Sequence, residues 1–301
     1  MRFVVDQQVE DIELPENLKL NTFLQEFHSD CPHSECSFGF YGFAFGQSPF
    51  PVPKIMQDAL IKNANKGAYA AVQGIPELRE AIAKYNKHYF EMDIDPKRIY
   101  VGPGTKELIF NLLEILHGTV ILPTPAWLGY LPQIRLLKKN FHMLPTQANQ
   151  KISPSDLRKL ALRLHDRQKI LILNNPNNPT GLLYNRLELE EIADVCREQS
   201  IAVISDEIYA QTTYDITKFV SMGKIYPEGT FVTNGLSNFI FQFGSAKSFN
   251  GYRWATANDF DSRDPKSWTI AGIKRFGSFR RAATCGSRVV MGLFCLTQWQ
   301  R

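Results

Sequence analysis

Five short apolar segments most restrict how this chain can fold: RIYV at 98–101, TVIL at 119–122, KILIL at 169–173, IAVIS at 201–205 and TFVTN at 230–234. Each is rich in β-branched residues and reads as a buried strand. Helical patterns separate them. In QGIPELREAIAKYNKHYF, residues Ile75, Leu78, Ile82, Tyr85 and Tyr89 recur at spacings of three and four, with Pro76 placed for a first helical turn. Further helical runs cover Thr105 to His117, SDLRKLALRLH at 155–165 and NRLELEEIADVCREQ at 185–199. Continuous apolar strands alternating with helices predict an α/β fold with a mostly parallel sheet covered by helices on both faces. Ligands of such sheets bind beyond the carboxyl ends of the strands. The residues that follow each strand are therefore the candidates for function.

Length and composition narrow the classes. With 301 residues, 44% of them apolar, the chain can bury a sizeable core, a large domain plus a smaller one. No stretch approaches the ~18 apolar residues of a transmembrane helix, and the start, MRFVVDQQVEDIELPENL, has no long apolar run or small-residue cleavage site. A cytoplasmic protein with no membrane partner is expected. The five cysteines are scattered and odd in number, which favours reduced thiols over a disulfide framework. His28, Cys31, His33 and Cys36 are zinc-type ligands, but their spacings match none of the usual arrangements, so a polar loop and no metal are expected. The net charge of +4 is the sum of −3 over residues 1–237 (24 basic, 27 acidic) and +7 over 238–301 (10 basic, 3 acidic). The basic residues of the tail are dispersed, so no nucleic-acid partner is expected.

After RIYV comes Gly102-Pro103-Gly104-Thr105-Lys106, opening a helix whose first amides could attract a phosphate. After TVIL comes PTPAWLGY, with Trp127 and Tyr130 just past the strand, where an aromatic could stack on a planar ligand. After KILIL comes NNPNNPTG, in which Asn178 offers a donor and an acceptor. After IAVIS comes Asp206-Glu207-Ile208-Tyr209. A carboxylate at the end of a buried strand needs a partner, either a ligand cation or a bridging arginine. Together the four strand ends suit a phosphorylated, aromatic, cationic ligand.

The ordered set YAAVQGIPELREAIA, VGPGTKEL, PTPAWLGY, NNPNNPTG, ISDEIYA and VTNGLS resembles the class I/II aminotransferases of pyridoxal-phosphate fold type I, over roughly residues 45 to 237. The resemblance implies a fold type I large domain, pyridoxal 5'-phosphate as cofactor, an amino acid and a 2-oxo acid as substrates, and a homodimer. It implies that Gly104, Thr105 and the amide of Lys106 hold the phosphate and that Trp127 stacks on the ring. Asn178 and Tyr209 would bond the ring hydroxyl, and Asp206 would keep the ring nitrogen protonated. Ser237 and Arg253 would also face the cofactor, Tyr69 would reach the neighbouring subunit's phosphate, and Gly46 would lie in a loop beside the substrate carboxylate.

The resemblance also places a lysine directly after Gly235-Leu236-Ser237, where it would form a Schiff base with the cofactor and shuttle the proton. This chain has Asn238 there. An amide forms no imine and is no base near neutral pH. The motif resumes in SFNGYRWA, whose Gly251-Tyr252-Arg253 resembles the family's phosphate-binding arginine, with Lys247 two residues too close to Arg253 to match the family spacing. Lys247 is thus a displaced candidate for the catalytic amine. The expected organisation is an amino-terminal arm and part of a small domain at 1–52, a large cofactor-binding domain at 53–255, and an unmatched basic tail at 256–301 in place of the rest of an incomplete small domain. A carbon–sulfur lyase of the same fold and a non-catalytic cofactor-binding protein are the alternatives to an aminotransferase.

Overall fold

The computed structural model describes residues 51–215 and 218–235, the strand Arg288–Gly292 and isolated positions between Val9 and Phe23. In chain order its elements are α1 Lys54–Asn63, α2 Pro76–Phe90, β1 Ile99–Gly102, α3 Thr105–Ile115, β2 Thr119–Thr124, α4 Tyr130–Leu136 and β3 Phe141–Pro145. There follow α5 Pro154–Arg163, β4 Lys169–Asn174, α6 Arg186–Glu198, β5 Ile201–Asp206, α7 Met222–Ile225, β6 Thr230–Gly235 and β7 Arg288–Gly292. The seven strands form one sheet in the order β1-β7-β6-β5-β4-β2-β3. Every neighbouring pair is parallel. The five segments singled out in the sequence are β1, β2, β4, β5 and β6, each within a residue or two of its expected bounds.

Two strands were not legible. FHMLP forms β3 at the sheet edge, where it has β2 as its neighbour and leaves Met143 exposed. A strand covered on one side needs less apolar sequence than a central one. RVVMG forms β7, which comes from the basic segment 256–301 and bridges β1 and β6, with Val289 opposite Ile99 and Val232.

The strand residues divide between the two faces with the period of two that a pleat dictates. Leu171 and Leu173 of β4 pack with Ile121, Val203, Leu157, Leu189 and Ile192, against α5 and α6. Ile170 and Ile172 of the same strand pack with Val120, Leu122, Ile204, Leu108 and Leu112, against α3 and α4. β4 is therefore buried along its whole length, and each such side chain contributes roughly 1.5–3 kcal/mol by leaving water. A third cluster joins Leu78, Ile82 and Tyr85 of α2 to Ile99 and Val232.

Gly74 explains how α2 reaches the sheet. Its φ of 105° lies in the region glycine favours, and a Cβ there would stand 2.7 Å from the Val101 side chain. This close approach lets Val101 donate its amide to the Gln73 carbonyl at 3.1 Å, outside the strand ladder.

Helix α6 starts on a capping box. The Asn185 side chain accepts from the Glu188 amide at 3.0 Å, and Glu188 accepts from the Asn185 amide at 2.8 Å. Lys151 adds an ion pair to Glu188 at 2.7 Å. Urea unfolding should show Asn185→Ala costing about 1 kcal/mol, whereas Leu189→Ala, at a fully buried position of the same helix, should cost about 2–5 kcal/mol. Equal costs would contradict the division of labour between cap and core.

Candidate functional site

Because all strands run parallel, their carboxyl ends share one edge of the sheet. At the centre of that edge β5 ends in Ser205 and Asp206, followed by Glu207, all three buried. The Asp206 carboxylate accepts from the Tyr130 hydroxyl at 2.6 Å and from the Ile208 amide at 3.3 Å. Burial pushes the Asp206 carboxyl up to about 6, while the hydrogen bonds from Tyr130, Ile208 and Thr233 oppose that rise. Burial, and then the neighbouring Asp206 charge, push the Tyr130 phenol well above its ordinary range. Among the described residues no arginine bridges Asp206. Its described partners are the Tyr130 and Thr233 hydroxyls and the Ile208 amide rather than a cation. The sequence showed Tyr130 beyond β2, but its pairing with Asp206 needed α4 and the register of the sheet to bring them together.

The next strand contributes the asparagines. Asn174 ends β4 in register with Asp206. Asn178 donates its side-chain amide to the Tyr209 hydroxyl at 3.1 Å, so the two residues expected to serve one ligand group are adjacent in space. Burial raises the Tyr209 phenol, an effect opposed by the bond from Asn178.

Beyond β1, Gly104 takes φ 131° at the N-cap of α3 and supplies no side-chain cap. The first amides of an α-helix have no partner within it, so this turn offers N–H groups and the positive end of the helix dipole to an anion. Thr105 is half-buried and Lys106 exposed at this end. Gln133 of α4 donates to the Lys106 carbonyl at 3.0 Å, tying the first turn of α3 to the helix that carries Tyr130. Trp127 is half-buried and meets Tyr130 edge-on, with ring centroids 5.1 Å apart and planes at 80°. Its indole thus packs against the ring of the tyrosine whose hydroxyl holds Asp206. Tyr69 lies on the loop before α2 and is 81% exposed.

The structure therefore brings together Asp206, Asn178, Tyr209, Trp127, Gly104, Thr105 and Lys106 on a single edge, and sets Tyr69 on the surface. Gly46, Ser237, Asn238, Lys247, Arg253 and the His28–Cys36 cluster lie outside the described residues. The described residues hold no group of three or more His, Cys, Asp or Glu arranged for a metal ion. No helix among them is long and apolar enough to cross a membrane.

A family model described as aminotransferase class I and II matches residues 38–291. Curated relatives include an aspartate aminotransferase of Geobacillus stearothermophilus, 33% identical over 215 residues, covering 65% of this chain and 52% of the relative. A probable aspartate/prephenate aminotransferase of Aquifex aeolicus is 35% identical over 207 residues, with 65% and 52% covered. Among solved structures, an aspartate aminotransferase from Thermus thermophilus with maleate superposes with a TM-score of 0.69 at 25% identity, covering 82% of this chain and 69% of that one. An alanine aminotransferase from Pyrococcus furiosus gives 0.68 at 26% identity, covering 80% and 61%. The chain spans about half the length of the curated relatives it matches.

Glu207, next to the central acid, points into the fold. Its Oε1 accepts from the Ser205 hydroxyl at 2.8 Å, the Ser221 hydroxyl at 2.9 Å and the Met222 amide at 3.1 Å, joining β5 to the start of α7. Burial nevertheless raises its carboxyl from 4.5 to about 7. The folded state then binds more protons than the unfolded chain between these values, so the stability Glu207 contributes is fully present below pH 4.5 and is lost as pH rises through about 7. Glu207→Gln keeps an acceptor for the three donors and cannot ionise. Denaturant unfolding across pH 5 to pH 8 should therefore show wild type losing more stability than Glu207→Gln as pH rises. Parallel curves for the two proteins would show that Glu207 does not titrate in this range.

Proposed function

The chain belongs to the class I and II aminotransferases, and from that premise we propose that the edge around Asp206 holds pyridoxal 5'-phosphate, in a site of the kind that moves an amino group between an amino acid and a 2-oxo acid. One observation carries the reading. Asp206 is a buried carboxylate whose described partners are the Tyr130 and Thr233 hydroxyls and the Ile208 amide. Burying a carboxylate without a cation is costly, and a protonated ring nitrogen would supply the missing charge. The other donors fit the same molecule: α3 amides and the Thr105 hydroxyl for its phosphate, Asn178 and Tyr209 for its hydroxyl, and Trp127 for its ring face.

In this reading each residue has a limited task. Asp206 keeps the proton on the ring nitrogen, and Tyr130 orients the carboxylate that does so. Thr105, the amides of Gly104 to Lys106 and Arg253 anchor the phosphate, Ser237 lies beside it, and Gly46 borders the substrate carboxylate. When bound, the cofactor supplies an electron sink for the carbanion formed at the amino acid's Cα. Turnover also needs an amine, and the sequence has Asn238 where the family has its lysine. That substitution favours a second reading, a protein that holds the cofactor without turning over, unless Lys247 reaches the site. In both readings the cofactor-binding domain takes residues 53–255 together with β7, Arg288–Gly292, which lies within its sheet, with 1–52 as an arm.

Titration of the full chain with pyridoxal phosphate should show saturable binding that Asp206→Ala weakens by about tenfold or more. Borohydride reduction and peptide mapping should leave Lys247 without stoichiometric label, and no amino transfer from aspartate to a 2-oxo acid should be measured. Unchanged affinity in Asp206→Ala would reject the cofactor assignment. Stoichiometric labelling of Lys247, with transfer that Lys247→Ala abolishes, would identify it as the amine and make the chain an active enzyme.

The resemblance also supports a homodimer in which Tyr69 serves the neighbouring site. Helix α1 has no buried residue, and Ile55, Leu60, Ile61, Tyr69 and Val72 are exposed on and after it. Apolar exposure of this kind marks an interaction surface. Light scattering should give the mass of a dimer, and a monomer that binds the cofactor with undiminished affinity in Tyr69→Ala would contradict a shared site.

A further inference from the structure

We propose that Asn174, which touches no expected ligand group itself, is the positioning residue that locks the two ring-binding arms, Asp206 and Asn178, into one frame. The inference rests on the cofactor reading above. Asn174 is the last residue of β4, 7% exposed and in register with Asp206. Its side-chain Nδ2 donates to the Asp206 carbonyl oxygen at 2.9 Å. Its Oδ1 accepts the backbone amide of Asn178 at 2.6 Å. One planar amide thus links the backbone of the residue that would face the ring nitrogen to the backbone of the residue that would face the ring hydroxyl.

The local sequence makes this link necessary. In Asn174-Asn175-Pro176-Asn177-Asn178-Pro179 both prolines lack an N–H, so three backbone amides after Asn174 must hold the turn. Asn175 donates its amide to the Asp206 carbonyl at 3.0 Å, and Asn177 donates to the Leu182 carbonyl at 2.9 Å. The amide of Asn178 goes to Asn174. Without that acceptor the Asn178 amide loses its described partner, and the turn is held only through the neighbouring Asn177, which bonds Leu182, Thr180 and Gly181.

The neighbouring asparagine supplies a built-in control. Asn175 is fully buried, but its side chain faces the other way, accepting from the Tyr184 amide at 3.1 Å and donating to the Val220 carbonyl at 3.4 Å. It supports the fold without linking ligand-binding residues. No described hydrogen bond joins Asn174 to the phosphate cradle at α3, whose strand β1 stands four places from β4 in the sheet.

The two roles separate in a comparison of pyridoxal phosphate with inorganic phosphate as probes of the full chain. Asn174→Ala should raise the Kd for pyridoxal phosphate about tenfold, the scale of one or two lost hydrogen bonds, and leave the Kd for inorganic phosphate unchanged. Asn175→Ala should lower the thermal midpoint and change neither Kd. Should Asn174→Ala fail to fold, Asn174→Asp keeps the acceptor for Asn178, drops the donor to Asp206, and is expected to show the same selective loss. Unchanged pyridoxal phosphate affinity in the folded variant overturns the proposal, as does weakening of both ligands together. If the wild-type chain binds inorganic phosphate but not pyridoxal phosphate, the cofactor reading itself fails and this inference falls with it.

Discussion

The parallel pairing of β4 with β5 is the interaction on which the rest of this structure depends. Its register runs from Lys169 opposite Ile201 to Asn174 opposite Asp206 without interruption. Apolar side chains fill both faces of this ladder, so neither strand can slip by one residue without turning a buried row outward. That restriction fixes where the polar residues at its far end emerge. Asn174 and Asp206 are held at the same height because Leu171 and Val203, and Ile172 and Ile204, are held at theirs.

At that end the chain buries three consecutive polar residues, Ser205, Asp206 and Glu207, in a region where an unpaired carboxylate costs several kcal/mol on the scale of charge burial. The two acids meet the cost differently. Glu207 turns toward the fold and is surrounded by donors from Ser205, Ser221 and Met222. Asp206 turns toward the strand-end edge and takes a hydroxyl from Tyr130 and an amide from Ile208. Both retain raised pKa values because burial outweighs the hydrogen bonds. Glu207 is a structural knot between β5 and α7, and Asp206 is the acid of the strand-end edge.

Helix α4 shows how a short element couples parts of the edge. Tyr130 at its start bonds Asp206, and Gln133 one turn later bonds the Lys106 carbonyl. The anion-attracting turn of α3 and the acid of β5 are thus braced by residues three apart on one helix. The spacing of three puts both side chains on the same face.

Most of the sheet was legible in the sequence, for a physical reason. A buried strand is built largely of apolar and β-branched residues, and β1, β2, β4, β5 and β6 carry that mark. The edge strand β3 does not, because three of its five residues, His142, Met143 and Pro145, are exposed, whereas β1 at the opposite edge exposes none. The residues after the strands were legible as candidates because parallel topology sends every carboxyl end to one side. Which of them touch was not. Whether Asp206 meets an arginine, a tyrosine or a ligand depends on contacts 76 residues apart in the chain. Asn174 looks like any other asparagine of a turn until the β4–β5 register sets it against Asp206. Local composition determines where a strand must lie, since burial is a property of each segment. The pairing of polar groups at its end is decided only when distant segments pack, because each hydrogen bond needs a partner supplied by another element.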